Sequence, residues 1–321
     1  MNRLCWIAFA AALLPGCLTL DAFLHNGIPC TEVDPETCAE ADNVFDAICT
    51  TCADPYDWAQ EYPWHPRLLG PGESVRAVRP ELVETLSLPT RDGAGALDAT
   101  LLRSHGEDPE RAQITIVYNH GNYAGIDHYR VRARYLHELG YTVLIWDYRG
   151  YGKSTPHSPP GPTAWFEDAQ QVWDEALTLA PDPAKVAVYG YSLGAIPSIE
   201  QALSNQPCAL VLEAPFTGIE AITEEAAGLG MPGSALTTGA YENRDKIGAW
   251  TGPLLVLAAA KDDLFEVPAV RGLFTAAQRA SPRHLVVIDD AVHGVSGGGV
   301  PEMGLRRYGE LLEEGLAPCG D

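Results

Sequence analysis

A serine between two glycines is the clearest candidate for chemistry in the sequence. Residues 190–194 read Gly-Tyr-Ser-Leu-Gly and directly follow an apolar run at residues 186–189. The two glycines lack Cβ atoms, so the chain can turn sharply from a strand into a helix and present the Ser192 hydroxyl above a sheet. This placement predicts Ser192 as a nucleophile.

A serine becomes a strong nucleophile when a base removes its proton and an acid orients that base. His293 lies in a loop after the last apolar run, where its side chain can reach over the sheet. Two adjacent aspartates, Asp262 and Asp263, follow the preceding run. We expect Asp262 to be the acid because it is nearer to the strand, and Asp263 stays the alternative. Along the chain the serine comes first, the aspartate second and the histidine last, which is the order expected when the nucleophilic serine lies in a strand–turn–helix element.

Three other histidines are expected to have no part in this chemistry. His128 and His137 fall on or near a predicted helix, and we expect them to be solvated. His284 begins a strand at the opposite end of the sheet, which indicates a structural role.

The elements that must position these residues follow a regular alternation. Two apolar runs at 82–88 and 97–102 flank a turn and predict an antiparallel edge. Six further apolar runs are expected to be buried strands, at residues 114–118, 142–146, 186–189, 210–212, 254–258 and 285–288. Helices are predicted at residues 129–139, 165–179, 193–203, 267–280 and 303–316. Strands alternating with helices predict an α/β fold with a mostly parallel, doubly wound sheet and ligands at its carboxyl ends.

Two details of this pattern carry expectations of their own. Pro197 falls inside the helix that follows Ser192, where it removes one backbone hydrogen bond and is expected to kink the helix. About 35 residues lie between Phe216 and Trp250, which is too short an insertion for a large cap domain.

The composition excludes one class of function. The chain has 321 residues, of which 46% are hydrophobic, so it can bury a large core. Its formal net charge of −22 makes nucleic-acid binding very unfavourable, because phosphate backbones would repel it.

The N-terminus has the features of an export signal. Arg3 precedes an apolar stretch at residues 4–14, which is too short to span roughly 30 Å of hydrocarbon. The following Leu-Pro-Gly-Cys resembles a bacterial lipobox, in which Cys17 would be acylated. We therefore predict a lipoprotein signal peptide at residues 1–16 and a lipid-anchored protein of the bacterial cell envelope, at the outer membrane or facing the periplasm. An ordinary cleaved signal or a buried amphipathic helix is the alternative.

Most of the cysteines lie in a lead segment at residues 17–75, which precedes a predicted catalytic domain at residues 76–321. An exported protein meets an oxidising compartment, so disulfides are favoured over a zinc site. The four crowded candidates, whose pairing the sequence leaves open, are Cys30, Cys38, Cys49 and Cys52.

A further disulfide is expected at the far end of the sheet. Cys208 precedes the strand at 210–212, at the end opposite Ser192, and the last predicted helix runs back toward that end before Cys319. We therefore predict a Cys208–Cys319 bond as a terminal clamp.

Four motifs together resemble the α/β-hydrolases, from about residue 82 to 316. They are His-Gly-Asn at 120–122, Asp-Tyr-Arg-Gly-Tyr-Gly-Lys-Ser at 147–154, the serine turn and the Asp/His pair. The chain is most similar to a compact branch of serine aminopeptidase-like hydrolases, which includes membrane-tethered esterases and protein depalmitoylases and has no large lid. The resemblance implies an oxyanion hole formed by the backbone N–H groups of Asn122 and Leu193, and a structural role for His120.

These features predict a serine hydrolase of carboxylic esters or thioesters that works through an acyl-enzyme. Ser192 would attack, His293 would transfer protons and Asp262 would orient the imidazole, with no metal or organic cofactor. The expected partner is a small acyl ester or an acylated substrate, together with a membrane at Cys17. The alternatives are an aminopeptidase-like enzyme and a non-catalytic surface binding protein on the same scaffold.

Overall fold

The computed structural model describes residues 56–58, 76–122, 125–157, 160–219, 241–293 and 300–320. The predicted signal peptide, the lipidation site Cys17 and the cysteines at positions 30, 38, 49 and 52 lie outside these residues. So does most of the insertion between Phe216 and Trp250. In the described ranges, no helix has both the length and the apolar character needed to cross a membrane.

The strands of the described residues form one sheet in the order β1-β2-β4-β3-β5-β6-β7-β8. Their bounds are β1 Val83–Pro89, β2 Ala96–Leu102, β3 Thr115–Asn119, β4 Thr142–Trp146, β5 Val186–Tyr191, β6 Leu210–Glu213, β7 Leu254–Ala259 and β8 Arg283–Ile288. Strand β2 pairs antiparallel with both β1 and β4, and every other pairing is parallel. The predicted sheet with an antiparallel N-terminal edge is therefore confirmed.

Helices cover both faces of the sheet. They are α1 Ile126–Glu138, α2 Pro162–Leu179, α3 Ala195–Asn205, α4 Asn243–Lys246, α5 Val267–Ala276 and α6 Val300–Leu316. One hydrophobic cluster joins the sheet to α2, α3 and α5, and a second cluster joins its other face to α1 and α6. Strands enclosed in this way must be apolar on both sides, which explains why β3, β4, β5, β6 and β7 are buried along their whole length.

The five predicted helices are found with somewhat different bounds, and two details depart from the sequence-based expectation for a physical reason. Helix α5 ends at Ala276, four residues earlier than predicted, since Ala277 has a ψ of 49° that ends the helical path. Pro197 is the third residue of α3. The first N–H groups of a helix have no acceptor within the helix, so a proline there removes no hydrogen bond. The expected kink therefore has no cause.

The part of the lead segment that the structure describes packs onto the sheet. Tyr56 and Trp58 are each 5% exposed and belong to the same hydrophobic cluster as α1. The Tyr56 hydroxyl donates to Asp98 Oδ2 at 2.8 Å, and Lys153 Nζ lies 4.0 Å from the Tyr56 ring centroid. The described part of the lead segment thus shares a core with α1 and contacts Lys153 of the 147–154 motif.

A disulfide joins Cys208 to Cys319, as the sequence predicted, with Cα atoms 5.0 Å apart. Cys208 donates its backbone N–H to Val186, the first residue of β5. The bond therefore lies at the amino end of β5, whereas Ser192 follows its carboxyl end.

Candidate active site

Ser192 follows β5 directly, in a turn whose geometry depends on glycine. Its φ of 53° is in the left-handed region, which is strained for a residue with a side chain. A Cβ on Gly190 would lie 2.4 Å from Ser198 Oγ and 2.7 Å from the Gly194 carbonyl oxygen. Glycine at position 190 therefore lets the turn and the start of α3 fold back closely over β5. This is the strand–turn–helix geometry expected of a nucleophile elbow.

Ser192, His293 and Asp262, hereafter the Ser–His–Asp cluster, form a hydrogen-bonded series. Ser192 Oγ lies 2.9 Å from His293 Nε2, and His293 Nδ1 lies 2.9 Å from Asp262 Oδ2. When Nδ1 carries the proton and donates it to the carboxylate, Nε2 is free to accept the serine proton. All three residues are less than 9% exposed. The structure thus brings together the three residues that the sequence selected.

The carboxylate of Asp262 is oriented by the loop that follows β7. Its Oδ1 accepts the backbone N–H groups of Leu264 at 2.9 Å and Phe265 at 2.8 Å. With Oδ1 held in this way, Oδ2 points at the imidazole. Asp263 is exposed, so of the two aspartates it is Asp262 that contacts His293.

The imidazole packs between aromatic rings as well as against the carboxylate. Phe265 meets the His293 ring edge-on at a centroid distance of 5.2 Å. Tyr191 lies nearly parallel to it at 5.7 Å, with 26° between the planes. Phe265 in turn packs edge-on against Phe216. These contacts restrict the ring's rotation and exclude water from two sides of it.

The turn at residues 120–122 lies against the elbow. A Cβ on Gly194 would lie 2.7 Å from the His120 carbonyl oxygen, so only glycine allows this approach. Leu193, which follows the serine, is buried, and Asn122 accepts a short hydrogen bond from the Tyr151 hydroxyl through its side chain. The two residues that the resemblance implies as oxyanion donors therefore belong to turns that touch each other.

His120 stabilises the turn at residues 120–122 through its own contacts. It is fully buried and stacks on Tyr148 at 4.1 Å and on Tyr129 at 5.1 Å. Its Nδ1 lies 2.7 Å from the Gly121 carbonyl oxygen, and the Tyr148 hydroxyl donates to the His120 carbonyl at 2.6 Å. These contacts fix the path of the turn, which agrees with the structural role expected for His120.

The 147–154 motif forms a scaffold between α1 and β2. Asp147 Oδ1 accepts the N–H of Ile126 at 2.6 Å and so caps the start of α1. Ser154 Oγ donates to the Asp147 carbonyl at 2.6 Å and accepts the Asp98 N–H at 2.8 Å. A Cβ on Gly152 would lie 1.7 Å from Asp147 Oδ2. The glycine is needed for the close approach of the backbone to this carboxylate rather than for binding a phosphate.

A buried ion pair beneath the Ser–His–Asp cluster has no signal in the sequence. Arg132 Nη1 of α1 lies 2.8 Å from Glu213 Oε2 at the end of β6, and both residues are less than 5% exposed. Burial is the largest single influence and opposes the charged form of Arg132, but Glu213 and the neighbouring tyrosines together outweigh it and raise the guanidinium pKa. An arginine on a helix is usually solvated, so only the packing of α1 against β6 shows this role.

The structure offers no candidate metal centre within the ranges it describes. No three side chains of His, Cys, Asp or Glu in those ranges lie together in a way that could hold a metal ion. The hydrogen-bonded series of Ser192, His293 and Asp262 is instead a set that can generate a serine nucleophile from the protein's own groups.

The chain is similar to proteins of one broad class. The family described as serine aminopeptidase, S33, matches residues 110–236. An uncharacterized protein of Mycobacterium tuberculosis is 34% identical over 158 residues, which are 49% of this chain and 55% of that protein. Alpha/beta hydrolase domain-containing protein 17B of Homo sapiens is 26% identical over 208 residues, covering 63% of this chain and 65% of the relative. The chain thus spans about half to two thirds of the length of these two curated relatives.

Solved structures agree with the same fold. An esterase from Pyrococcus furiosus superposes with a TM-score of 0.58 at 21% identity, covering 73% of this chain and 90% of its own. A serine hydrolase without a lid from Xanthomonas campestris gives a TM-score of 0.52 at 20% identity, covering 75% of this chain and 96% of its own. The sheet order, the elbow and these matches show that the chain has the α/β-hydrolase fold.

Proposed function

We propose that this α/β-hydrolase is a serine hydrolase that cleaves carboxylic ester or thioester bonds through an acyl-enzyme. The observation that carries the proposal is the pair of 2.9 Å contacts that link Ser192, His293 and Asp262 in series. A hydroxyl, an imidazole and a buried carboxylate in that order are the parts of a nucleophilic triad.

Each residue has a defined step in the reaction. Ser192 Oγ attacks the acyl carbonyl carbon while His293 Nε2 takes the hydroxyl proton. The carbonyl oxygen becomes an oxyanion that the backbone N–H groups of Leu193 and Asn122 stabilise, each donor contributing about 3 kcal/mol. His293 then protonates the departing alcohol or thiol. A water molecule, deprotonated by the same nitrogen, releases the acid and restores Ser192.

Asp262 holds the imidazole in the required tautomer throughout. Its Oδ2 accepts a hydrogen bond from the Nδ1–H group and stabilises the imidazolium that forms when Nε2 takes a proton. The two backbone N–H groups on Oδ1 keep this carboxylate fixed during both half-reactions.

The surroundings of the site favour a substrate with an apolar group. Leu264 and Val292 are 54% and 49% exposed, and in the described ranges they are the large hydrophobic side chains with the greatest exposure. Leu264 follows Asp262 by two residues, and Val292 directly precedes His293. From these positions in the sequence we infer that an acyl chain or an apolar alcohol bound at Ser192 contacts the two side chains.

A second candidate function is peptide hydrolysis, which the description of the matching family favours. The same Ser–His–Asp series performs amide hydrolysis in many folds, so the two functions differ in substrate recognition rather than in the catalytic groups. The similar solved structures include several esterases, and this supports the ester reading as the first choice.

The predicted site of action is the cell envelope, with Cys17 carrying the lipid anchor. This placement rests on the sequence of residues 1–17 alone and stays a proposal. Mass spectrometry of the protein from a membrane fraction of a bacterial host would reveal a diacylglyceryl adduct on Cys17. A mature chain that starts elsewhere and carries no lipid would contradict the anchor.

A substrate panel tests the proposed function. The wild type and Ser192→Ala are assayed with p-nitrophenyl esters of increasing chain length, an acyl thioester and a set of aminoacyl anilides. We expect the wild type to turn over the esters or the thioester and Ser192→Ala to lose that activity. Faster cleavage of the anilides would establish the peptidase instead. A folded wild type that cleaves none of them would point to a binding protein.

A further inference from the structure

Tyr191 makes more contacts with the candidate site than its place in the sequence suggests. It is the last residue of β5, directly before Ser192, and it is 1% exposed. Its hydroxyl donates to the carbonyl oxygen of His293 at 2.6 Å, and its ring lies nearly parallel to the imidazole. One side chain thus holds both the backbone and the ring of a residue 102 positions away in sequence.

The same ring also contacts the turn that carries the implied oxyanion donor Asn122. A Cβ on Gly121 would lie 3.0 Å from both Cδ1 and Cε1 of Tyr191, which means that the backbone of this turn rests on the edge of the ring. Tyr191 is therefore in contact with the turn at Gly121 and with His293 at once, and it is covalently joined to Ser192.

A buried charge pair fixes the ring from a third direction. The guanidinium carbon of Arg132 lies 3.5 Å from the Tyr191 ring centroid, a close cation–π contact. Arg132 is itself held by Glu213 Oε2 at 2.8 Å, and the same oxygen accepts the Tyr189 hydroxyl at 2.6 Å. Tyr308 extends the network by donating to the Tyr189 hydroxyl at 2.9 Å. A guanidinium bound in this way has little freedom to move, so the ring above it has little freedom as well.

We propose that Tyr191 is a positioning residue that aligns His293 and the turn at Gly121 with the Ser192 hydroxyl. The ring of Tyr191 lies on the guanidinium of Arg132, which the ion pair with Glu213 holds in place. This inference rests on the proposed serine hydrolase function, and it assigns a task to a residue that does not itself touch the reacting atoms.

The physical reason is the narrow tolerance of proton transfer and attack. A displacement of about 1 Å in a reacting group can cost about 100-fold in rate. Without the Tyr191 hydroxyl, the carbonyl of His293 loses a buried hydrogen bond, and its loop gains freedom relative to Ser192. The loss of rate should appear in kcat rather than in KM, because the substitution does not change the contacts that bind the acyl group.

Two variants that each remove one hydroxyl oxygen distinguish the positioning role of Tyr191 from ordinary packing. Tyr191→Phe removes only the hydroxyl that holds the His293 carbonyl. Tyr118→Phe removes a hydroxyl from β3, the strand that pairs directly with β5, where that group is buried and has no hydrogen-bond partner. Both variants keep an aromatic ring and lose one oxygen atom, so they form a matched pair.

The variants are compared by kcat and KM on a p-nitrophenyl ester and by hydrogen–deuterium exchange. We expect Tyr191→Phe to lower kcat about tenfold with KM within twofold of the wild type, and to speed exchange in the peptide that contains residues 289–293. Tyr118→Phe should match the wild type in both measurements. Equal kcat values for the two variants, or a Tyr191→Phe effect confined to KM, would overturn the positioning role.

The exchange measurement also separates this inference from the proposed function. A wild type that hydrolyses no acyl substrate would defeat the proposed function. Hydrogen–deuterium exchange in Tyr191→Phe would still show whether Tyr191 holds the loop that contains His293. Unchanged exchange in Tyr191→Phe would overturn the inference even in an active enzyme.

Discussion

A Cβ atom on Gly194 would lie only 2.1 Å from the carbonyl oxygen of Asn119. The elbow after β5 and the turn after β3 are therefore in backbone contact, and this contact exists because residue 194 has no side chain. Parallel pairing of β3 with β5, with Asn119 opposite Gly190, brings the two turns to the same edge of the sheet. The distance between Ser192 and Asn122, the proposed nucleophile and one proposed oxyanion donor, thus depends on Gly194, for which neither role is proposed.

Gly194→Ala should displace the turn at residues 120–122 from the elbow. The new methyl group cannot fit against a rigid backbone carbonyl, so the implied donor at Asn122 moves out of reach of the oxyanion. We expect kcat for ester hydrolysis to fall by about 100-fold, the cost of removing one oxyanion-hole donor.

Gly161→Ala is the control for this change. Gly161 precedes α2 with a φ of −70°, and a Cβ there would meet no atom within 4 Å. Its kcat should equal that of the wild type. A Gly194→Ala variant that is folded and as active as Gly161→Ala would show that the two turns need not touch.

Asp262→Asn should abolish most of the activity, whereas Asp263→Asn should leave it intact. The asparagine can offer its NH₂ group to Nδ1 and so favour the wrong imidazole tautomer, with an expected loss of about 10⁴-fold in kcat. Asp263 is exposed and makes no such contact with the imidazole, so the neighbouring substitution is a control of equal chemistry. Steady-state kinetics of both variants on one ester decide the matter, and a larger loss at position 263 would refute the assignment.

His137 should make the protein less stable in mild acid. The sequence-based expectation that His137 is solvated was wrong, because this residue of α1 is buried and only 5% exposed. Burial, together with the charges of His105 and Arg76, lowers its pKa from 6.5 to about 4. Between these values the unfolded chain binds a proton that the folded chain does not. This residue therefore leaves stability unchanged above about pH 6.5 and lowers it as the pH falls toward 4.

Chemical denaturation at pH 7.5 and pH 5 measures this effect. The wild type should lose roughly 2 kcal/mol more than His137→Phe, which keeps an aromatic ring but cannot titrate. His157→Phe changes an exposed histidine and should behave as the wild type does. Identical pH dependence in the wild type and His137→Phe would mean that His137 titrates normally in the folded state.

Loss of the Cys208–Cys319 bond should weaken the fold without altering the site. The bond spans 111 residues of sequence, and closing a loop of that length destabilises the unfolded chain by up to about 5 kcal/mol. We expect Cys319→Ala to lower the free energy of unfolding by a few kcal/mol while kcat stays within twofold. A reducing agent should destabilise the wild type more than the variant, because only the wild type has the Cys208–Cys319 bond to lose. Two free thiols in the untreated wild type would contradict the bond.

Much of the architecture could be predicted from local patterns. Strand β4 has the bounds that its apolar run indicated, since a strand enclosed on both faces must be apolar throughout. Strand β5 continues two residues beyond its predicted end, because the parallel partners Asn119 and Glu213 keep pairing with Gly190 and Tyr191. Ser192, Asp262 and His293 could be selected because each follows the end of a strand, where parallel topology gathers side chains.

The supporting groups could not be found in this way. Arg132 and Glu213 are 81 residues apart, and each by itself has the sequence character of a solvated charge. Tyr191 occupies a position that the Gly-x-Ser-x-Gly pattern leaves unspecified, and its partner carbonyl belongs to a distant loop. Tyr56 comes from a segment without apolar periodicity, and only its contact with Asp98 shows that it joins the core. Such contacts depend on how elements pack, which no local spacing encodes.

The most direct test of the account is covalent capture of Ser192. The wild type is treated with a fluorophosphonate probe, and intact mass with peptide mapping locates the adduct. The account predicts one adduct per chain, on Ser192, that disappears in Ser192→Ala and forms much more slowly in His293→Ala. A wild type that stays unlabelled, or an adduct that persists in Ser192→Ala, would contradict the claim that the Ser–His–Asp cluster generates a nucleophile.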